Sequence, residues 1–274
     1  MIQVILPILA ASLLSLSFSS FNLWLFAWFG FAPLFISLEK KTFFRSFVIG
    51  YLCGIAFWSL TIYWLIHVTL LGQIVLILYL AVYFGVFGCI IYLSRFLPSA
   101  AILFFIPCSW VLLEYLRSYL FTGFPWAQVG FSQYSNLPVI QIADITGSWG
   151  VSFLVVLTNT GLYLALRKRL KRGVFLICLC VLFLSLAYGF YRLSYKPVLC
   201  PAKDLLKVSV VQGNIPQDLK WDKQAAGGIL NNYIALTQAA AKDGPGLIIW
   251  PEASLPFLWG EDAAIAQFRQ VFSL

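Results

Sequence analysis

Charge is scarce in this sequence and histidine is nearly missing. Only 10% of the 274 residues are Asp, Glu, Lys or Arg, and His67 is the single histidine. A soluble domain cannot hide a composition that is 61% hydrophobic, so the chain reads as an integral membrane protein. No Ser-His-Asp or Cys-His arrangement can be assembled, and His67, at the outer end of an apolar run, reads as an interfacial residue. The six cysteines show neither a disulfide framework nor a zinc-ligand spacing. Cys53, Cys89, Cys108, Cys178 and Cys180 lie inside apolar runs and read as small packing residues, while Cys200 stands just past the last run. No metal or cofactor is expected. The first 20 residues lack the charged leader of a cleavable signal and lead straight into a second apolar stretch. They read as a retained first span.

What charge there is lies unevenly. Met1 to Arg192 holds eleven Lys/Arg and three acids (Glu39, Glu114, Asp144), and the remainder holds seven of each. The overall excess of +8 therefore belongs to the apolar part. It is concentrated in short loops, at Lys40, Lys41 and Arg45 and at Arg167, Lys168, Arg169, Lys171 and Arg172. Basic charge confined to short loops is the positive-inside signature, not the footprint of a nucleic-acid partner. The second cluster also suits anionic lipid. Windows of about 20 apolar residues give spans near 2–18, 21–38, 47–66, 71–94, 98–120, 149–167 and 173–192. The first two are short and read as one broken helix or a tight hairpin. With the basic loops inside, an odd number of spans leaves everything after the seventh outside.

Between spans five and six an outward loop, 121–148, contains Gly123-Phe124-Pro125-Trp126 and Gly130-Phe131-Ser132-Gln133. Its aromatics suit the headgroup level of a bilayer, and the loop could also shape an entrance for lipid. Beyond Tyr195-Lys196-Pro197 the composition becomes that of a soluble α/β domain. Lys207 to Gln212 reads as a buried strand ending at Gly213-Asn214. Residues 225–241 form an amphipathic helix through Leu230, Tyr233, Ile234, Thr237 and Ala241. Asp243-Gly244-Pro245-Gly246 ends it, and 247–250 is a second strand. Strand, helix, strand implies a parallel pair with a helical crossover. Gln212 to Asn214 and Pro251 to Ala253 then share one sheet edge, where α/β enzymes gather their sites.

Glu252 is the principal candidate residue. It follows Leu247-Ile248-Ile249-Trp250-Pro251, and the proline both fixes its own φ and holds Trp250 extended, so the strand end presents the carboxylate in a set direction. A carboxylate so placed can serve as a general base; it can equally be a solvated loop residue. Within the spans the ionisable groups stand out at Glu114 and Arg117, near the outer end of span five. At i and i+3 they can meet on one helix face as a structural pair, or Arg117 can contact a phosphate headgroup.

These stretches carry a resemblance. Trp110…Glu114…Arg117, the two loop motifs, Gln141-Ile142-Ala143-Asp144 and Gly150-Val151-Ser152-Phe153-Leu154 are similar to apolipoprotein N-acyltransferases of the nitrilase (carbon–nitrogen hydrolase) superfamily. So are Val211-Gln212-Gly213-Asn214-Ile215-Pro216-Gln217, Lys220-Trp221 and Trp250-Pro251-Glu252-Ala253. Each motif is weak alone; in this order they cover essentially the whole chain. The resemblance implies a membrane α-helical bundle (1–196) followed by the start of an α/β nitrilase-like α-β-β-α sandwich (205–274) outside the bacterial cytoplasmic membrane. It implies transfer of an acyl chain from a phospholipid donor, through a cysteine thioester, to the α-amine of a diacylglyceryl apolipoprotein. Membrane lipids are then the surroundings, with no nucleic acid and no cofactor. It assigns Glu252 as general base of a Glu-Lys-Cys triad, with Trp221 positioning substrate; Arg117, by its fit to a phosphate headgroup, is a further substrate-positioning candidate.

The sequence departs from that pattern after Glu252. It has no lysine there, only Arg269, no cysteine beyond Cys200, and no final apolar span. The expectation is an amino-terminal fragment that cannot complete the transfer alone. A membrane-tethered amidase of the same superfamily and a non-catalytic membrane protein stand as alternatives.

Overall fold

The computed structural model describes residues 2–18, 21–195, 205–216, 219–220, 222, 224–252 and 254. The chain divides into two compact units, Met1–Lys196 and Pro197–Leu274. In the first, five helices are long and apolar enough to cross a membrane: α4 (Phe43–Thr61), α5 (Leu70–Ser94), α6 (Ser99–Tyr119), α8 (Ala143–Leu166) and α9 (Arg172–Ser194). The first two of the seven expected spans are shorter. Helix α1 (Ile2–Leu16) has 15 residues, about 22 Å of rise against a hydrocarbon core of about 30 Å. The second stretch is broken into a 3-10 turn (Trp24–Phe26), α2 (Ala27–Gly30) and α3 (Ala32–Ser37). Pro33, in the first turn of α3, cannot donate the N–H that a continuous helix would need there. Helix α1 packs on α2, α3 and α4, which makes a hairpin of the first two stretches.

A break inside a bundle leaves backbone groups that no lipid can satisfy. Here Asn159 of α8 satisfies them. Its Oδ1 accepts from the Phe31 N–H at 2.9 Å and its Nδ2 donates to the Ala27 carbonyl at 2.8 Å, so one buried amide spans the α2–α3 joint. Around the joint the core is aromatic. Trp110 of α6 meets Phe31, Phe87 and Phe84 edge-on at 4.7, 4.8 and 5.0 Å between ring centroids, a geometry that adds about 0.5–1.5 kcal/mol per pair beyond burial.

Helices α4 and α5 make the closest pair. A Cβ on Gly50 would run into the Phe84 carbonyl and one on Gly88 into the Ser46 carbonyl, so bare backbone is what lets the two helices approach. Their connection is tied by Gln73, whose Nε2 donates to the Ile62 and Tyr63 carbonyls at the end of α4. Helix α8 starts six residues earlier than the predicted 149. The extra turn is separated from the rest by Gly147 at φ 65°, ψ −173°, a conformation reserved to glycine, and the sequence pattern shows only the part beyond it. Asp144, in that first turn, pairs with Arg192 of α9 at 3.0 Å and accepts from the Tyr188 hydroxyl.

The second unit contains β1 (Val208–Val210), α10 (Ala226–Ala241) and β2 (Leu247–Ile249). The strands pair in parallel with Val208 opposite Leu247 and Val210 opposite Ile249. Helix α10 buries Ile229, Leu230, Tyr233 and Thr237, close to the expected stripe; Ala241 lies outside it and is exposed. The first strand, expected to be buried, is so only in part. Val211 packs with Ile229 and Tyr233, while Val208, Val210, Leu247 and Ile249 face outward. A single crossover helix covers one side of a sheet only.

Candidate active site

The parallel register brings the ends of β1 and β2 to one edge. The ladder continues as the Val211 N–H donates to the Ile249 carbonyl at 2.9 Å. Past it, Gln212-Gly213-Asn214 leaves one strand and Trp250-Pro251-Glu252 the other. Trp250 is anchored from below by α10. Its indole lies 4.9 Å from the Tyr233 ring at 26°, and its Nε1 donates to Thr237 Oγ1 at 2.8 Å. Gly213 lies over the same tyrosine, so closely that a Cβ there would stand 2.5 Å from Cζ. Its carbonyl accepts from Asn232 Nδ2 at 3.1 Å, and Asn214 takes the left-handed φ of 49°. One helix face thus fixes both strand ends. Glu252, one residue beyond Pro251, is exposed at this edge. Trp221 lies outside the described residues.

Arg117 belongs to the first unit. It is 4% exposed, its guanidinium lies 4.9 Å from the Trp58 ring, and its Nη1 donates to the carbonyls of Phe124 and Trp126 at 3.0 and 2.6 Å. Glu114 is buried too, and its Oε1 accepts from Trp110 Nε1 at 2.9 Å and from the Val129 N–H at 2.7 Å. The expected direct pair between the two is not formed. Each turns instead to the loop after α6, because a loop entering the bundle brings backbone groups that need charged partners more than two helix side chains need each other.

Loop 121–148 is accordingly built into the bundle. It holds a buried 3-10 turn (Val129–Gln133) and helix α7 (Leu137–Ile140). Gly130 N–H donates to Ser152 Oγ at 2.9 Å, and Gln128 meets Ser118 and Ser148. Gln133 accepts from Trp28 Nε1 at 2.8 Å and donates to the Trp24 carbonyl at 3.0 Å. The loop's aromatic tip stays outside this network, with Trp126 half exposed and its ring 5.2 Å from that of Trp64. Gln128 and Asn159 are residues that sequence reasoning passed over, and Gln133 and Ser152 entered it only as members of motifs, with no role of their own. Their one signal is polarity inside or beside apolar runs, and a neutral amide gives a far weaker signal than a charge.

The family model "Apolipoprotein N-acyltransferase N-terminal domain" matches residues 10–161, more than half of the chain. A protein of Geobacter metallireducens named apolipoprotein N-acyltransferase is 36% identical over 96% of this chain and 53% of its own length. A Coxiella burnetii protein of the same name is 31% identical, over 92% of this chain and 54% of its own. A third, from Photobacterium profundum, is 30% identical over 93% and 50%. The chain spans about half the length of the curated relatives it matches.

Proposed function

Because this chain belongs to the apolipoprotein N-acyltransferase family, we propose that it forms the membrane part and the first βαβ unit of an enzyme that N-acylates lipoproteins. The donor in this reading is a phospholipid of the surrounding membrane. The acceptor is the α-amine of an amino-terminal diacylglyceryl-cysteine. The acyl chain passes through a cysteine thioester, which splits one difficult transfer into two easier ones. Glu252 is the base that takes the thiol proton, since the thiolate is the attacking species. A lysine ammonium would steady the tetrahedral oxyanion. Lysine is absent after Glu252 and cysteine after Cys200, so both groups must come from sequence outside these 274 residues.

The observation that carries the reading is the shared sheet edge: the parallel pair brings the Gln212–Asn214 turn and Glu252 together, on a strand end stiffened by Pro251 and anchored by Trp250. This unit is proposed as the start of a nitrilase-like sandwich on the periplasmic side. Trp221 and Arg117 position substrate, and Arg117 does so through the loop it holds, because its side chain is buried and its Nη1 bonds the Phe124 and Trp126 carbonyls. The test is Glu252→Gln in the full-length protein, given a phospholipid with a labelled acyl chain. Thioester labelling is expected to disappear while membrane insertion is unchanged. Labelling at the native rate would overturn the role of Glu252.

A further inference from the structure

At the end of the bundle that carries the basic loops, the ends of α3, α5 and α8 enclose an open cavity of about 420 Å3. Four cations line it, Lys40, Arg95, Arg167 and Arg169, against the single carboxylate of Glu39. Glu39 pairs with Arg167, and one carboxylate cannot neutralise four cations. Two of the three guanidinium groups are tied to backbone. Arg95 donates from Nε to the Tyr92 carbonyl at 2.9 Å and from Nη2 to the Lys41 carbonyl at 2.8 Å, and lies 3.9 Å over the Tyr92 ring. Arg169 donates to the Leu97 carbonyl at 3.3 Å. Each arginine has five N–H donors, so each keeps most of them for another acceptor. Across Arg169 a second open cavity, of about 340 Å3, is lined by Lys168 and Lys171 and by Ser99 at the start of α6.

A topology signal needs only that cations lie in the loops. It does not need them to converge on a cavity with Arg95 and Arg169 tied to backbone carbonyls. We propose that these adjoining cavities are a binding site for a phosphate-bearing anion, distinct from the Glu252 edge. Guanidinium matches phosphate in shape and charge, and basic pockets between transmembrane helices take anionic headgroups. Phe35 and Ile91 line the first cavity beside the cations, which suits a lipid whose chains enter the bilayer there. Phosphate from solution shares the chemistry of the headgroup. In the topology proposed above, the site faces the cytoplasm; nothing else in it depends on acyl transfer.

The test uses the whole 274-residue chain in neutral detergent, titrated separately with phosphatidylglycerol, with phosphatidylcholine of the same chains, and with inorganic phosphate. Unfolding temperature and retention in native mass spectrometry are read. Saturable stabilisation by phosphatidylglycerol and none by phosphatidylcholine is expected. Lys40→Asn and Arg169→Gln should each weaken that affinity about fivefold, and together about 25-fold, since a cation near an anionic headgroup contributes about one such factor. Lys40 sits at φ 53°, which asparagine tolerates, so its unliganded unfolding temperature should match the parent's. Stabilisation by inorganic phosphate with the same variant sensitivity upholds the site and makes phosphate from solution its ligand. Equal response to both lipids, or parental affinity in both variants, overturns it.

Discussion

Trp250 is the residue through which α10 governs the strand end that bears Glu252. Gly213 shares the same support, because both lie against Tyr233. Gly213→Ala should push that ring aside and loosen both strand ends. A loss of about 1–3 kcal/mol is expected from overpacking, read as faster hydrogen exchange at 208–211 and 247–250 with exchange in the membrane helices unchanged. Asn159→Leu in α8 should cost about 1–2 kcal/mol, because Phe31 N–H and the Ala27 carbonyl then lose their partner. Unfolding in mixed micelles measures it; an unchanged midpoint would mean that the α2–α3 joint finds another partner. The two residues differ in how visible they were beforehand. Glu252 stood out as a candidate because a carboxylate after a short apolar strand and a proline is a local pattern. Asn159 was not, because its worth lies in a joint 128 residues away, and a lone neutral amide barely disturbs the hydropathy of its own run.

Among the elements, α10 and the five long helices followed from period and length, since each is decided by its own sequence. The first two apolar stretches did not. A window of hydropathy cannot distinguish one continuous span from a hairpin of short pieces, and what distinguishes them here is Pro33 together with a partner from α8. Likewise the start of α8 was hidden behind Gly147. Gly147→Ala should strain that joint by about 1–3 kcal/mol and move Asp144 away from Arg192 and Tyr188. Lower thermal stability is expected, together with loss of any further effect of Arg192→Gln in a double-mutant cycle. Gly50→Leu, which drives a side chain into the α5 backbone, should prevent native packing of α4 on α5. A cross-link between cysteines introduced on those two helices would then fail to form.

For the molecule as a whole, the proposed topology has the five long helices alternate from the Lys40–Lys41 loop, and the chain after α9 is expected on the side opposite the basic loops. The short hairpin of α1 to α3 leaves that parity unchanged. With native cysteines replaced, single cysteines at Lys41 and Lys168 should resist a membrane-impermeant maleimide in intact spheroplasts. Cysteines at Tyr134 and Asn214 should react. The reverse pattern would sink the proposed topology and, with it, a periplasmic Glu252.

The pairing of Val208 with Leu247 reaches across 39 residues, and it sets a schedule for synthesis. A ribosome delivering this chain finishes α1 to α9 before the first strand exists, and α4 can close on its neighbour α5 as soon as both have entered the bilayer. The first strand must then wait, without its partner, until α10 and the second strand have been translated. The edge that carries Glu252 is thus assembled only after α1 to α9, and a pause in that interval leaves those helices followed by an unpaired strand.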